Sequence, residues 1–149
     1  MESNPYSIMD MLLGNHAGAL GETCIITLLA GYLFLLAIKV VDAWATLPFI
    51  GTVAVIMGLA GEDVVFQLLS GGLALGAFFM ATDYTTTPMT PKGKIIFGIG
   101  CGLITSLVRL FAAAPEGVAF SILFMNMFVP LIDRYTRPRP VGGVKNALV

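Results

Sequence analysis

Residues 70–83 open on Ser70-Gly71-Gly72, continue through Leu73, Ala74, Leu75, Gly76, Ala77, Phe78, Phe79, Met80 and Ala81, and stop on Thr82-Asp83. A helix of a water-soluble protein keeps a polar face, and this run has none. A helix facing only lipid has no use for Ser-Gly-Gly within it or for a carboxylate at its end. Among other helices in a membrane the pattern is coherent. Glycines let helix axes approach or let a helix break, and a break turns backbone dipoles toward an ion or a cofactor. Composition excludes a soluble domain: 57% of residues are hydrophobic and 11% charged, against about 25% charged in ordinary soluble domains. The chain reads as an all-α, polytopic membrane helix bundle.

Five apolar segments are legible, at 24–41, 47–60, 64–81, 95–114 and 118–132. A straight crossing needs about 20 apolar residues, with roughly 17 as the lower limit. The first, third and fourth segments meet that length, and the second and fifth look short. Pro48 is expected to open the second segment, where its missing N–H costs least. Lys39, Lys92, Lys94, Arg134, Arg137, Arg139 and Lys145 fall on one side of a five-span topology, and Glu2, Asp10, Glu22, Glu62, Asp63 and Glu116 on the other. The positive-inside rule then gives an N-out, C-in arrangement. Trp44 and Tyr135 sit where interfacial aromatics belong. The organisation expected is a periplasmic-side connector at 1–23, a transmembrane domain at 24–133 and a basic cytoplasmic tail at 134–149. Ile8, Met9, Leu12 and Leu13 would share one face of a helix in that connector, whose opening residues read as a continuation of something longer.

Several function classes drop out. Net charge is -1, which leaves no nucleic-acid footprint. Cys24 and Cys101 form no C-x-x-C pair and read as small buried hydrophobes. His16 is the only histidine and cannot build a metal site alone, so no metal is expected. No P-loop, nucleophile elbow or dinucleotide fingerprint occurs, so hydrolase or nucleotide chemistry within the chain is not indicated.

The residues left to carry chemistry lie inside apolar runs. Asp83, with Thr82 and the hydroxyls that follow, can coordinate Na⁺ or relay H⁺, or it is a solvated helix end. Ser70-Gly71-Gly72 is either a helix break beside a pathway or a close-packing site. Asp83, Thr82 and Ser70 are the expected ion route. Arg109 lies about 7–8 Å from the end of its segment at ~1.5 Å per residue. It either snorkels outward toward Glu116 or contacts an anion such as a cofactor phosphate. Gln67 and Asn126 are expected to hydrogen-bond between helices, and Glu22 suits a helix start.

Taken together, the residues resemble the membrane D subunit of Rnf-type ion-translocating electron transport complexes, a family shared with the B subunit of the Na⁺-translocating NADH:quinone oxidoreductase. The matching pieces are Leu13-Gly14-Asn15 with Gly18, Gly21 and Glu22, then Leu69-Ser70-Gly71-Gly72 through Asp83, Thr87-Pro88 and Thr90-Pro91. Gly93, Phe97-Gly98, Arg109-Leu110-Phe111, Pro115-Glu116-Gly117-Val118-Ala119, Met125-Asn126 and Pro130-Leu131-Ile132-Asp133 follow in order.

The resemblance implies about ten transmembrane helices in two inverted halves, with this chain as the second half, carrying a broken or glycine-rich helix. It implies a translocase component, not a complete catalyst by itself, in a bacterial inner-membrane complex that couples electron transfer between ferredoxin and NAD⁺ to Na⁺ or H⁺ movement. The implied cofactors are a covalent FMN on a threonine, and riboflavin. The implied partners are the other Rnf-type subunits, the missing N-terminal half and the bilayer. The Ser-Gly-Ala-Thr-like attachment motif of the family occurs nowhere in this sequence, so FMN attachment cannot be carried onto it. Arg109 and Glu22 remain as secondary flavin contacts. The competing reading is half of an inverted-repeat channel or secondary transporter with no redox role.

Overall fold

The computed structural model describes residues 8–13, 24–70, 72–112 and 117–137. Every regular element among them is helical: α1 (Ile8–Leu13), α2 (Ile25–Ala37), α3 (Ala43–Ala60), α4 (Val64–Leu69), α5 (Leu73–Leu75, continuing as a π-helical turn over Gly76–Met80), α6 (Pro91–Ala112) and α7 (Gly117–Thr136). The chain is a polytopic membrane helix bundle, and the five apolar segments correspond to α2, α3, the α4–α5 pair, α6 and α7.

Their lengths depart from the hydropathy reading. The helices long and apolar enough to cross a membrane are α3, α6 and α7, with 18, 22 and 20 residues. The segments expected to be short are thus long enough for full crossings. The first segment yields only the 13 residues of α2, about 20 Å at 1.5 Å per residue against a hydrocarbon core of about 30 Å. Two causes account for this. At the membrane rims, polar residues join helices at little cost, so α7 runs through Asp133 and Arg134 to Thr136, while α3 begins at Ala43 because Pro48 lies inside it and does not start it. At the end of α2 the backbone turns instead. Lys39 adopts φ 57°, and its N–H and that of Val40 close back onto Leu36 and Leu35, the Schellman stop that glycine usually supplies.

Pro48 does not open a helix. It lies inside α3, where its ring packs against the bare backbone of Gly98. The N-terminal proline position is filled by Pro91, with Thr90 as its cap: Thr90 Oγ1 accepts the Gly93 N–H at 3.1 Å.

The most extensive packing in the chain joins α3 to α6. Ala45, Pro48 and Phe49 meet Gly98, and Phe49 and Thr52 meet Gly102, so the two helices run parallel. A Cβ at Gly98 would lie 2.4 Å from the Ala45 carbonyl oxygen, and one at Gly102 would lie 2.9 Å from that of Phe49. Only glycine permits this approach, and the four-residue spacing is the small-xxx-small arrangement of membrane helix pairs. α7 packs antiparallel on α6, with Gly117 beside Val108, Met125 over Gly100 and Thr136 beside Gly93. Thr105 Oγ1 and Ser121 Oγ, both buried, share a 2.7 Å hydrogen bond across that pair. Phe49, Val53, Met57, Leu73, Ala77, Phe97, Cys101 and Ile122 form the core between them.

This arrangement collects charge at the two ends. Lys94 reaches Asp42 at 2.5 Å, which puts the start of α6 beside the start of α3; Thr136 beside Gly93 brings the end of α7 to the same rim. That rim carries Lys39, Lys92, Lys94, Arg134 and Arg137, together with Asp42, Asp83 and Asp133. Glu62 and Asp63 lie on the turn at the far end of α3. Cys101 is a core residue as expected. Cys24 is only half-buried, and its thiol shares a 3.0 Å hydrogen bond with Thr27.

Candidate functional site: a broken helix closed by an arginine

The third apolar segment is two half-helices. Asp63 Oδ1 caps the first by accepting the Val65 and Phe66 N–H groups at 3.1 and 3.3 Å. After Leu69 the chain leaves helical geometry. Ser70 is extended at φ −108° and ψ 158°, and Gly72 turns left-handed at φ 68°. A left-handed residue costs glycine nothing, so the Ser-Gly-Gly signature marks a break, as one of its two readings held. Gly71 lies outside the described residues. Close packing occurs instead at Gly76, outside that triplet: a Cβ there would lie 2.2 Å from Val118 Cγ1, so the second half-helix packs against α7 at glycine distance.

A helix end inside a membrane exposes carbonyls that lipid cannot satisfy. Arg109, on α6, meets that need here. Its Nη1 donates to the Gln67 carbonyl and to Gln67 Oε1 at 3.2 Å, and its Nη2 donates to the Ser70 carbonyl at 2.9 Å. The guanidinium fork thus spans two turn-end carbonyls and a side chain of α4, which a single ammonium could not do. A positive charge at a helix C-terminus also opposes the negative end of its dipole. Gln67 makes the interhelical bond expected of it. Asn126 does not among the described residues, where its Oδ1 is buried with no partner.

The second half-helix is widened. The Ala81 N–H reaches back five residues to the Gly76 carbonyl at 2.7 Å, the π-type register that recurs at functional sites. Neighbouring hydroxyls take carbonyls of this turn. Thr46, buried on α3, donates to Ala77 O at 3.0 Å, and Thr82 donates to Phe78 O at 2.7 Å. On the α2 side, Tyr32 stacks on Phe78 with ring centroids 4.8 Å apart. Its hydroxyl is buried with no partner among the described residues.

Asp83 follows this turn at the basic rim, with its side chain exposed. Its carboxylate organises a local turn, accepting the Thr85 N–H at 3.3 Å and the Thr85 hydroxyl at 2.8 Å. Thr82 and Asp83 line one pocket of about 230 Å³ with Leu35, Val40, Val41 and Phe79. Ser70 is at the opposite end of the second half-helix, whose eight residues from Leu73 to Met80 span about 12 Å at 1.5 Å per residue. The structure therefore brings Thr82 to Asp83, and Ser70 to Arg109, at two ends of one widened half-helix. Glu22, like His16 and Glu116, lies outside the described residues. Gly98 and Gly102 could have been found from their spacing. Thr46 and the Thr105–Ser121 pair carry no sequence signal, because their partners are set only by packing.

Among the described residues no cluster of His, Cys, Asp or Glu could hold a metal ion. Comparison with known proteins adds a family. A family model described as NQR2, RnfD, RnfE matches residues 1–142. The D subunit of the Na(+)-translocating ferredoxin:NAD(+) oxidoreductase complex of Acetobacterium woodii is 43% identical over 141 residues, covering 93% of this chain and 44% of that protein. The D subunit of the proton-translocating ferredoxin:NAD(+) oxidoreductase complex of Clostridium ljungdahlii is 46% identical over 139 residues, 89% of this chain and 42% of that protein. The D subunit of the ion-translocating oxidoreductase complex of Stutzerimonas stutzeri is 41% identical over 144 residues, 92% of this chain and 41% of that protein. The chain thus spans less than half the length of these relatives.

Proposed function

The chain belongs to the NQR2, RnfD, RnfE family, and from that premise we propose that it is the second half of a membrane subunit in an ion-translocating oxidoreductase complex of the bacterial inner membrane. The complex would couple electron transfer between ferredoxin and NAD⁺ to cation movement. The observation that carries this reading is similarity to D-subunit proteins along some nine-tenths of the chain, over a fold whose third crossing is broken and closed by a membrane-embedded arginine. Relatives of nearly equal identity are named for Na⁺ and for protons, so the proposal is for a cation and its test measures both.

The chain would supply half of a site whose other half, with the remaining subunits, comes from the rest of the complex. FMN and riboflavin belong to that assembly, where flavin carries the redox chemistry and protein supplies position and electrostatics. Arg109 is committed to the α4 carbonyls, which fits a supporting contact at the outer end, with Glu22, and not primary attachment. No attachment residue is assigned to this chain. Asp83, Thr82 and Ser70 are proposed on the cation route, Asp83 with Thr82 at the basic mouth and Ser70 at the break.

The test uses the purified native complex in sealed vesicles, with ferredoxin-driven NAD⁺ reduction as the electron readout and Na⁺ and H⁺ uptake as the transport readouts. Asp83→Asn is expected to lower cation uptake several-fold while assembly and electron transfer survive. Unchanged uptake removes Asp83 from the route. A native complex that holds no flavin at all, neither as a fluorescent band on a denaturing gel nor released into solution on denaturation, overturns the redox reading in favour of a transporter half.

A further inference from the structure

At the basic rim, the last turns of α7 form an open groove of about 500 Å³ lined by Val129, Pro130, Asp133, Arg134 and Arg137. We propose that this groove seats the phosphodiester headgroup of an anionic phospholipid, with Arg134 and Arg137 as its ligands and α7 as the track for an acyl chain.

Arg134 and Arg137 are three apart on the helical path and so share a face. Both are exposed. The ion pair present among the described residues is Lys94 with Asp42, so neither arginine is neutralised by a carboxylate there. Asp133 lines the same groove, yet lies beyond ion-pair distance of either guanidinium. Its Oδ1 instead accepts the Met89 N–H at 3.1 Å, which turns it toward the 84–90 loop. Two guanidinium groups and one carboxylate leave the groove with a single net positive charge. That balance suits a phosphodiester, which carries one negative charge, better than inorganic phosphate, whose mean charge lies between one and two at neutral pH. Guanidinium also offers the paired N–H geometry that phosphate oxygens accept.

The second argument is continuity with an apolar track. Phe120, Phe124, Met127 and Leu131 are all exposed, and their spacing of four, three and four places them in one stripe along α7. Arg134 is the next residue of that stripe. From Phe124 to Arg134 the helix rises about 15 Å at 1.5 Å per residue, half of a ~30 Å hydrocarbon core. A single leaflet's acyl chain therefore fits between the groove and the bundle's middle, with Val129 and Pro130 as an apolar floor beneath the headgroup. Basic pockets at this depth are the usual headgroup sites of membrane proteins.

The test is native mass spectrometry of the whole delipidated complex, titrated separately with phosphatidylglycerol, phosphatidylcholine and inorganic phosphate. The expected result is one phosphatidylglycerol bound about tenfold more weakly in the R134Q/R137Q complex than in the wild type, with phosphatidylcholine binding unchanged. The R134K/R137K complex, which keeps charge but loses the paired donors, should fall between them. If the double glutamine variant does not assemble, Arg137→Gln alone, at the exposed end beyond α7, is expected to weaken the same binding several-fold. Equal phosphatidylglycerol binding in wild type and variants overturns the proposal. So does displacement of the lipid by millimolar inorganic phosphate, which would make the groove a soluble-anion site.

Discussion

Where α6 meets α3, glycine backbones touch a neighbour's carbonyls; where α5 meets α2, a helix is broken and widened and a phenol hydroxyl is buried unpaired. Both contacts are helix on helix in the same bundle, and both use glycine. In the first, glycine removes a side chain so that two helices lock. In the second, glycine supplies a backbone turn, and the polar groups this releases must be gathered by Arg109, Thr46 and Thr82. The contrast teaches that glycine in a membrane helix has two opposite uses, told apart by what the freed backbone groups bond to. The locked seam is scaffold. The broken side, with hydrogen bonds shared among several helices, is where two arrangements can lie close in energy.

The sharpest way to break the comparison is Gly98→Leu. Its side chain would have to displace a backbone carbonyl of α3, which cannot move as a flexible side chain does. Overpacking ordinarily costs about 1–3 kcal/mol and more where backbone is struck, so loss of assembled complex is expected, read as yield after size-exclusion chromatography. A normal yield would mean the seam is looser than glycine distance. Arg109→Gln comes next. It removes charge-assisted bonds worth about 1.5–3 kcal/mol each and leaves carbonyls bare at the break. A lower thermal midpoint is expected, with faster labelling of a cysteine introduced at Ser70, and Arg109→Lys should recover only part of the loss. Labelling no faster than in the wild type would show that the break holds without its cap.

Thr46→Val keeps shape and deletes one donor to the Ala77 carbonyl, for an expected cost of about 1–2 kcal/mol in denaturant or thermal unfolding. A neutral result would show that the π turn satisfies itself. Tyr32→Phe is the smallest effect. Removing a buried hydroxyl with no partner among the described residues should leave stability unchanged or raise it by up to about 1 kcal/mol. A large loss would mean that a partner outside this chain holds the phenol, and would move Tyr32 from packing to assembly.

Much of this was legible in the residues. The existence and order of the apolar segments follow from hydropathy, and the break follows from Ser70 and Gly72, since a left-handed turn selects glycine. Segment lengths were not legible. Asp133 and Arg134 look like an end, and Lys92 and Lys94 look like a loop before a start, yet at a rim water solvates polar side chains and the helices run through them. Lys39 looks like an ordinary charge and is in fact the left-handed stop of α2. The site was half legible. An arginine within an apolar run declares that it has a partner, but the partner of Arg109 lies on another helix, and only packing decides which one. Asp83 was visible as a carboxylate after a helix, and its pocket with Thr82 depends on α2 being short.

The clasp between Arg109 and the first half-helix also sets an order of events during synthesis. Its acceptors at Gln67 and Ser70 leave the ribosome 42 and 39 residues ahead of their donor. A helix as short as α4 is marginal alone, and its last carbonyls find no partner in lipid. The third crossing is therefore finished by the fourth, and until α6 enters the bilayer the segment at 64–80 must wait in the insertion machinery or in water. Nascent chains halted before residue 109 should leave a cysteine at position 70 open to water-soluble reagents, and chains released past it should not. Equal protection at both lengths would mean that the half-helix closes without its arginine.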